Sequence, residues 1–292
     1  HYRDRRQRQM CIRDSFYHIH EYEDFKQKFI SAPVFSESKE FAKKDEMELT
    51  PFVVSGLMLC FLWSGFIRSG LGFGGLVLTL PFALMVVDSP LDIMPLAVVH
   101  AFVVGISTVF LRFRNVDWMQ LLKMIKVMAI PVLFGLFGLI TIPETWLLLL
   151  VFGVVLMYSV NYIRPFIQLK MGGWSNTLVL MLGGYLSGLA LIGSPLIVAV
   201  AGHRIERHRL RDSLLALWVV LSPPKLVILF YSGVDLHLDW QWWLLPVNLL
   251  GHLLGMKFHD HLLRLRTEAF YRWLGAVLML VVLVGIYRVL TR

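Results

Sequence analysis

Two basic side chains lie inside stretches of the chain that are otherwise apolar. Arg68 is part of the glycine-rich run 64–75, and Lys225 follows directly after a pair of prolines. An ionised side chain inside an apolar environment costs several kcal/mol, so such residues are candidates for function. A guanidinium donates two parallel hydrogen bonds, which suits an oxyanion, and an ammonium supplies a point charge. Both residues therefore favour a binding site for a small anion.

Each of these candidates has a structural alternative. Arg68 would reach the polar boundary of the apolar layer if it lies near the end of a short helix. Lys225 would neutralise carbonyl groups that the preceding prolines release from helical hydrogen bonding. His100 has an ordinary pKa near neutrality, which suits proton coupling. The alternative for His100 is a packed side chain that makes one hydrogen bond.

Glycines interrupt two of the apolar stretches at their centres. An interior glycine costs a helix about 1 kcal/mol relative to alanine. Non-helical backbone within a bilayer is tolerated where it is buried in protein or lines a cavity. Half-helix N-termini beside such breaks favour an anion, whereas the alternative is that the glycines only allow close helix packing. The candidate substrate-binding residues at the two breaks are Gly70, Gly72, Gly74 and Gly75 in the first, and Gly193, Ser194 and Pro195 in the second.

The composition places these candidates in a membrane protein. Hydrophobic residues make up 57% of the 292 residues and charged residues 16%, and the mean hydropathy is +0.66. Soluble domains carry about a quarter charged residues. The net charge of +8 does not indicate nucleic-acid binding, because the basic residues lie between apolar runs. Two cysteines, Cys11 and Cys60, are too few for a disulfide framework.

Eight apolar segments follow the polar N-terminal region, and a membrane span needs roughly 20 apolar residues. Six of them have the length of one span, whereas segments A and E are broken by glycines and predict re-entrant or short-helix segments. The segments are A (51–87), B (93–111), C (119–142), D (145–163), E (176–202), F (210–231), G (240–257) and H (269–290).

The charges between the segments predict how they cross. Lys and Arg concentrate in the B–C, D–E, E–F and G–H connections, whereas the A–B, C–D and F–G turns carry only acidic charges. Lys and Arg mark the cytoplasmic side, so both ends of E are cytoplasmic and both ends of A external. This predicts two inverted-topology repeats, 47–170 and 171–292, each with a broken segment followed by three spans. Arg288 and Arg292, at the predicted external C-terminus, oppose this scheme.

Short motifs recur in the same order in both halves, as expected for an internal repeat. Ser64-Gly65-x4-Gly70 matches Ser187-Gly188-x4-Gly193, and the Val-Asp pair at 116–117 matches that at 234–235. Pro131, Gly135 and Gly138 in segment C correspond to Pro246, Gly251 and Gly255 in segment G.

These stretches resemble the sulfite exporter TauE/SafE family of bacterial membrane transporters. The resemblance rests on SGFIRSGLGFGGLVLTLP (64–81), GYLSGLALIGSPLIV (184–198), the P-x3-G-x2-G run at 131–138 and FYRWLGAVLMLVVLVG (270–285). It implies a multi-pass protein of the bacterial inner membrane that exports or takes up a small sulfur oxyanion or sulfonate, without a cofactor. The second break differs from the family's G-x-G-G-x-P pattern, since Leu191 to Pro195 reads LIGSP.

The sequence thus predicts a secondary transporter, and two other functions stay open. An anion channel would use the glycine breaks as a continuous pore. A membrane-embedded metalloenzyme would use His252, His259, Asp260 and His261, but these residues lack the spacing of known metal motifs. Expected partners are a small anion and the lipid bilayer, without nucleic acid, and a homo-oligomer stays open.

The N-terminal region is expected to contribute nothing to this function. Residues 1–46 mix charges of both signs without an apolar stretch long enough to insert. Residues 5–15 resemble translated sequencing-adapter sequence, and Met47 is the expected native start. We expect this extension to be disordered or loosely helical.

Overall fold

The computed structural model describes residues 49–72, 74–87, 89–164, 172–259, 261 and 268–291. Over these residues the chain forms ten α-helices and one short 3-10 helix (113–115) and no strand. The predicted extension 1–46 lies outside them. The helices are α1 (Pro51–Leu71), α2 (Leu80–Val86), α3 (Pro90–Arg112), α4 (Trp118–Thr141), α5 (Glu144–Ile163), α6 (Gly173–Ala190), α7 (Ser194–Arg204), α8 (Arg207–Tyr231), α9 (Leu238–Lys257) and α10 (Glu268–Leu290).

Six helices within the described residues are long and apolar enough to cross a membrane. These stretches contain few charged residues, and each carries 20 residues or more. The prediction of an all-α polytopic membrane protein is therefore confirmed at this level. The candidate spans are Pro51–Gly70, Pro90–Asn115, Trp118–Thr141, Glu144–Ile163, Arg207–Tyr231 and Tyr271–Leu290.

Side-chain caps set the starts of three long helices. The Thr50 hydroxyl accepts the backbone N–H of Val53 at 3.3 Å, directly before Pro51 begins α1. The Ser89 hydroxyl caps α3, and the Asp117 carboxylate accepts the Gln120 N–H at 3.1 Å at the start of α4. Because the first N–H groups of a helix have no internal partner, these oxygens favour initiation at these points.

Segments A and E each consist of two helices separated by a break. In segment A the break begins at Gly72, so the prediction that it begins at Gly70 is wrong by two residues. Arg68 consequently lies in the last turn of α1 rather than in the break itself. In segment E the break covers residues 191–193, between α6 and α7.

The helices pack in four principal pairs: α1 with α9, α4 with α6, α3 with α8, and α5 with α10. Glycines allow the close approach in the first two pairs. Gly65 of α1 lies against the backbone of Asn248 and His252, and Gly188 of α6 lies against that of Val132 and Leu136. A Cβ at either glycine would contact backbone atoms, which cannot rotate away as a side chain does.

Segment G differs from its prediction as a single apolar span. It forms α9, but α9 is not among the candidate membrane spans. Two of its polar residues face α1: Asn248 donates through Nδ2 to the carbonyl of Phe61 at 2.7 Å, and His252 is hydrogen-bonded to Ser69. These two side chains are buried, and polar groups that bond to a neighbouring helix lower the hydropathy of α9.

An ion-pair network holds the first turns of α8 against the connection between α3 and α4. The buried carboxylate of Asp212 accepts Nε of Arg211 at 2.9 Å and lies 3.8 Å from Nη1 of Arg112. The side-chain amide of Asn115 also donates to Asp212. Arg211 packs next to the first break, because a Cβ added at Gly72 would lie 3.1 Å from its Cβ. The network therefore fixes α8 relative to the first break.

At the acidic turns, His237 bridges the start of α3 and the start of α9. Its Nε2 lies 3.4 Å from the Asp92 carboxylate, and its backbone N–H donates to Asp235 at 2.8 Å. The ring also stacks on Trp240, with centroids 4.3 Å apart. Burial acts to lower the pKa of His237, but the hydrogen bond to Asp92 and the charges of Asp235, Asp92 and Asp239 raise it above its ordinary value.

Arg288 has a local partner that accounts for its position. Its Nη1 donates to the carbonyl of Met85 at 3.3 Å, in the last turn of α2. The last carbonyls of a helix lack internal partners, and a basic side chain satisfies them. The charge of Arg288 thus has a structural role independent of which side of the membrane it faces.

Candidate functional site

The first break depends on two glycines with a left-handed backbone. Gly72 has φ +80° and Gly74 has φ +75°. Gly72 ends α1 by donating its N–H to the carbonyl of Arg68 at 3.1 Å. Residues other than glycine rarely adopt such φ values, so glycine is strongly favoured at both positions. After Gly74 the chain makes tight turns, with the N–H of Leu78 bonded to the Gly74 carbonyl, and then enters α2.

The second break is shorter and uses a different residue to reverse the chain. Leu191 has φ +58°, and its N–H donates to the carbonyl of Ser187 at 3.1 Å. Gly193 then passes directly against α6, because an added Cβ would contact the carbonyl of Gly183 and lie 2.5 Å from the Ser187 hydroxyl. Ser194 and Pro195 form the first turn of α7. Proline suits this position, where its missing N–H needs no partner.

The two breaks meet at a recess that we call the inner recess. Its empty volume is about 310 Å³, which includes the part that is open to solvent. The end of α1 and the first break supply four of its residues, the second break and the start of α7 supply two, and α3 and α8 complete the wall with one residue each. These residues are Arg68, Gly74, Gly75 and Leu76, then Leu191 and Ser194, and finally Ala101 and Trp218.

A neighbouring outer recess shares part of this wall. Its empty volume is about 210 Å³, again including the part that is open to solvent. Ser194 and Trp218 line both recesses, whereas Gly72, Leu214 and Leu217 line the outer one. The two recesses therefore adjoin at Ser194 and Trp218.

Arg68 supplies the charge of the inner recess. Its side chain is 5% exposed, and Nη2 donates to the Ser64 hydroxyl at 3.4 Å, one helical turn earlier. Its Nη1 is buried and has no hydrogen-bond partner among the described residues. A guanidinium has five N–H donors, and a buried donor without an acceptor is strongly unfavourable. The arrangement leaves Arg68 able to bind an anion in the recess.

Two histidine contacts hold the end of α1 in place. Ser69, next to Arg68, is hydrogen-bonded to His252 of α9. His259 donates through Nδ1 to the carbonyl of Gly70 at 2.6 Å, just before the break. Both residues belonged to the metal-site alternative, and Asp260 lies outside the described residues. Within the described part of the chain, no group of three or more His, Cys, Asp or Glu side chains is placed to hold a metal.

Lys225 and His100 do not line either recess. Lys225 is fully buried in α8, and its Nζ donates to the carbonyl of Ser187 at 3.2 Å, in the last turn of α6. His100 is fully buried in α3 against the ring of Phe61, with centroids 4.5 Å apart. Both ring nitrogens of His100 lack a partner among the described residues.

The structure thus brings part of the predicted site together. Arg68, Gly74, Gly75 and Ser194 line the inner recess, and Gly72 lines the outer one. Gly193 belongs to the second break itself, whereas Gly70 and Pro195 lie in the adjoining helices, α1 and α7. The prediction omitted Trp218, although its position was a usable signal. Tryptophan in membrane proteins concentrates at the ends of spans, whereas Trp218 lies in the middle of α8.

Six long apolar helices within the described residues define a multi-pass membrane protein, and its two helix breaks lie beside a buried cation, Arg68. The family model for the sulfite exporter TauE/SafE matches residues 57–286, and the chain belongs to that family. The predicted membership is confirmed, and with it a membrane transporter for sulfite or a related sulfur compound rather than an enzyme. Comparisons with curated proteins and with solved structures gave no match.

Proposed function

We propose that the chain is a secondary transporter that exports a small sulfur oxyanion, such as sulfite or an organosulfonate, by alternating access. The substrate binds in the inner recess, with Arg68 as its main ligand. The observation that carries this proposal is the buried Nη1 of Arg68, which lines the recess without a protein acceptor. An oxyanion would supply the missing acceptor in a bidentate geometry.

The backbone around the recess supports an anion. Ser194 begins α7 at the recess, and the first N–H groups of a helix carry partial positive charge. Lys225 adds a second positive charge on the far side of the second break, through its bond to the Ser187 carbonyl. Among the described residues that line either recess there is no Asp or Glu. His100, beside Phe61, is the candidate for proton coupling.

Matched helix crossings support inverted repeats as the scaffold for alternating access. Gly188 and Gly135 make the contacts of the α4–α6 crossing, with Val132 and Leu136 on one side and Tyr185 and Leu189 on the other. The α1–α9 crossing has the same pattern. Each contact residue of α6 corresponds to one of α1, and each contact residue of α4 to one of α9. Within each of these helix pairs the difference in residue number is constant. The corresponding residues are Gly65 and Gly251, with Asn248 and His252 on one side and Leu62 and Phe66 on the other.

The loop charges give the orientation. The Arg-rich connection between α7 and α8 is cytoplasmic by the usual distribution of basic residues. The acidic turns that contain Asp92 and Asp235 are then external. The repeats 47–170 and 171–292 cross in opposite directions in this scheme, in a bacterial inner membrane.

The test is anion flux in proteoliposomes with Arg68→Gln, Arg68→Lys and a control, Arg207→Gln. Arg207 is an exposed arginine at the start of α8. Loss of a bidentate charged hydrogen bond costs about 1.5–3 kcal/mol, so Arg68→Gln is expected to lower sulfite flux at least about tenfold. Arg68→Lys should keep part of the flux, and Arg207→Gln should keep all of it. Unchanged flux in Arg68→Gln would refute the site, and flux that does not saturate with sulfite would indicate a channel.

A further inference from the structure

The indole of Trp218 stands at the boundary between the inner and outer recesses. Among the lining residues of the described chain, only Ser194 and Trp218 belong to both recesses. Ser194 has a small side chain at the start of a helix, whereas Trp218 carries the largest side chain of any residue type. Of the two residues at this boundary, Trp218 therefore fills the larger volume.

The order of residues along α8 shows which recess lies nearer the Arg-rich start of the helix. Leu214 lies one turn before Trp218, toward the Arg-rich start of the helix, and it lines only the outer recess. Arg211 lies seven residues before Trp218, hence about 10 Å along the same face, and packs against Gly72 of the outer recess. The outer recess therefore lies nearer the Arg-rich start of α8 than the inner recess, which Arg68 lines.

The backbone that carries Trp218 is held on the side of α3. Gly105 of α3 lies directly against α8, since an added Cβ would lie 2.8 Å from both the Leu215 carbonyl oxygen and a Val219 methyl group. The side chain also packs against hydrophobic residues of both major apolar clusters. Close-packed interiors resist small displacements, so a substitution at position 218 changes the space at the boundary more than it moves the helix.

We propose that Trp218 determines the size of anion that the transporter accepts. The inference rests on the proposed anion transport and adds a specificity-determining residue to it. Small oxyanions pass beside the indole to reach Arg68, whereas an aromatic sulfonate meets the ring as a steric barrier. Charge selection at Arg68 and size selection at Trp218 are thus performed by different residues.

The experiment measures sulfite, methanesulfonate and benzenesulfonate flux in proteoliposomes for the wild type, Trp218→Phe and Trp218→Ala. Trp242→Ala is the matched control, since Trp242 is 82% exposed on α9. Discrimination by shape in an apolar site reaches about 10–200-fold. We expect Trp218→Ala to raise the ratio of benzenesulfonate to sulfite flux about tenfold or more, and Trp218→Phe to raise it a few-fold. Trp242→Ala should leave the ratio unchanged.

The outcomes separate this inference from the proposed function. Wild-type protein that carries none of the three anions refutes the proposed function. Wild-type protein that carries sulfite, together with Trp218 variants that keep the wild-type ratio, overturns the role of Trp218 alone. A melting temperature measured for each variant identifies folded protein, and if Trp218→Ala does not fold, the ratio for Trp218→Phe decides.

Discussion

The close crossing of α4 and α6 predicts a large difference between two glycine-to-alanine substitutions. Gly188 lies against the carbonyl oxygen of Val132, and an added Cβ would also lie 3.1 Å from the backbone of both Gly135 and Leu136. Gly153 of α5 has no atom within 4 Å of the same added Cβ. Both glycines are inside helices, so the added methyl group favours the helix at both positions, and only at Gly188 does it meet a neighbouring helix.

The magnitude follows from two opposing contributions. Replacing an interior glycine by alanine favours the helix by about 1 kcal/mol. Overpacking a close contact costs about 1–3 kcal/mol, and the upper part of that range applies at Gly188 because the contacted atoms are backbone. Gly188→Ala should therefore lower stability by about 1–2 kcal/mol, whereas Gly153→Ala should raise it by up to about 1 kcal/mol. Gly65→Ala, at the α1–α9 crossing, should behave like Gly188→Ala.

The assay is the melting temperature of purified protein in detergent, compared with wild type. The expected order is Gly153→Ala highest, wild type next, and Gly188→Ala and Gly65→Ala lowest. A Gly188→Ala protein as stable as Gly153→Ala would refute the close crossing. A loss confined to one of the two crossings would contradict their equivalence and weaken the case for inverted repeats.

Two further predictions concern charged residues. Lys225→Met should lower sulfite flux about fivefold, which is less than the effect of Arg68→Gln. The reason is that a charge that does not touch the anion contributes on the order of 1 kcal/mol at an effective dielectric constant near 20. Flux is compared at equal amounts of folded protein. His237→Gln should lower the melting temperature at acidic pH and leave it unchanged at alkaline pH. The raised pKa of His237 means that its stabilisation is complete below the ordinary pKa of histidine and disappears as pH rises through the raised value.

Each of these predictions has a contrary outcome. Flux in Lys225→Met as low as in Arg68→Gln would make Lys225 a direct ligand rather than a distant charge. A stability difference for His237→Gln that is largest at alkaline pH would contradict the ion pairs with Asp92 and Asp235. Melting curves at several pH values, with wild type as the reference, distinguish these cases.

Much of the fold could be predicted because the length of an apolar stretch and the positions of glycines within it are local features of the sequence. The broken segments, 51–87 and 176–202, were identified from glycines that are unfavourable inside a helix. The exact start of the first break could not be identified, because Gly70 and Gly72 have the same intrinsic preference. Gly72, which has the positive φ, packs beside Arg211, a residue distant in the sequence.

The site was harder to predict because its members meet only through long-range packing. Arg68 was identifiable as a charge in an apolar run, and its lining of the recess could not be deduced from its neighbours. Trp218 contacts both recesses because α7 returns against α8, which no local pattern encodes. Asn248 and His252 reduce the apolar character of α9, and their partners on α1 account for that departure.

The unpaired guanidinium of Arg68 has an electrical consequence. The described residues that line the recess include no carboxylate, so the empty site carries a positive charge and a site filled by a monovalent anion is neutral. In the proposed cycle the membrane voltage acts on the return of the empty carrier, at about 2.3 kcal/mol per charge for each 100 mV that the charge crosses. Transport of a monovalent sulfonate would then be electrogenic, and its turnover would vary with the resting voltage of the cell.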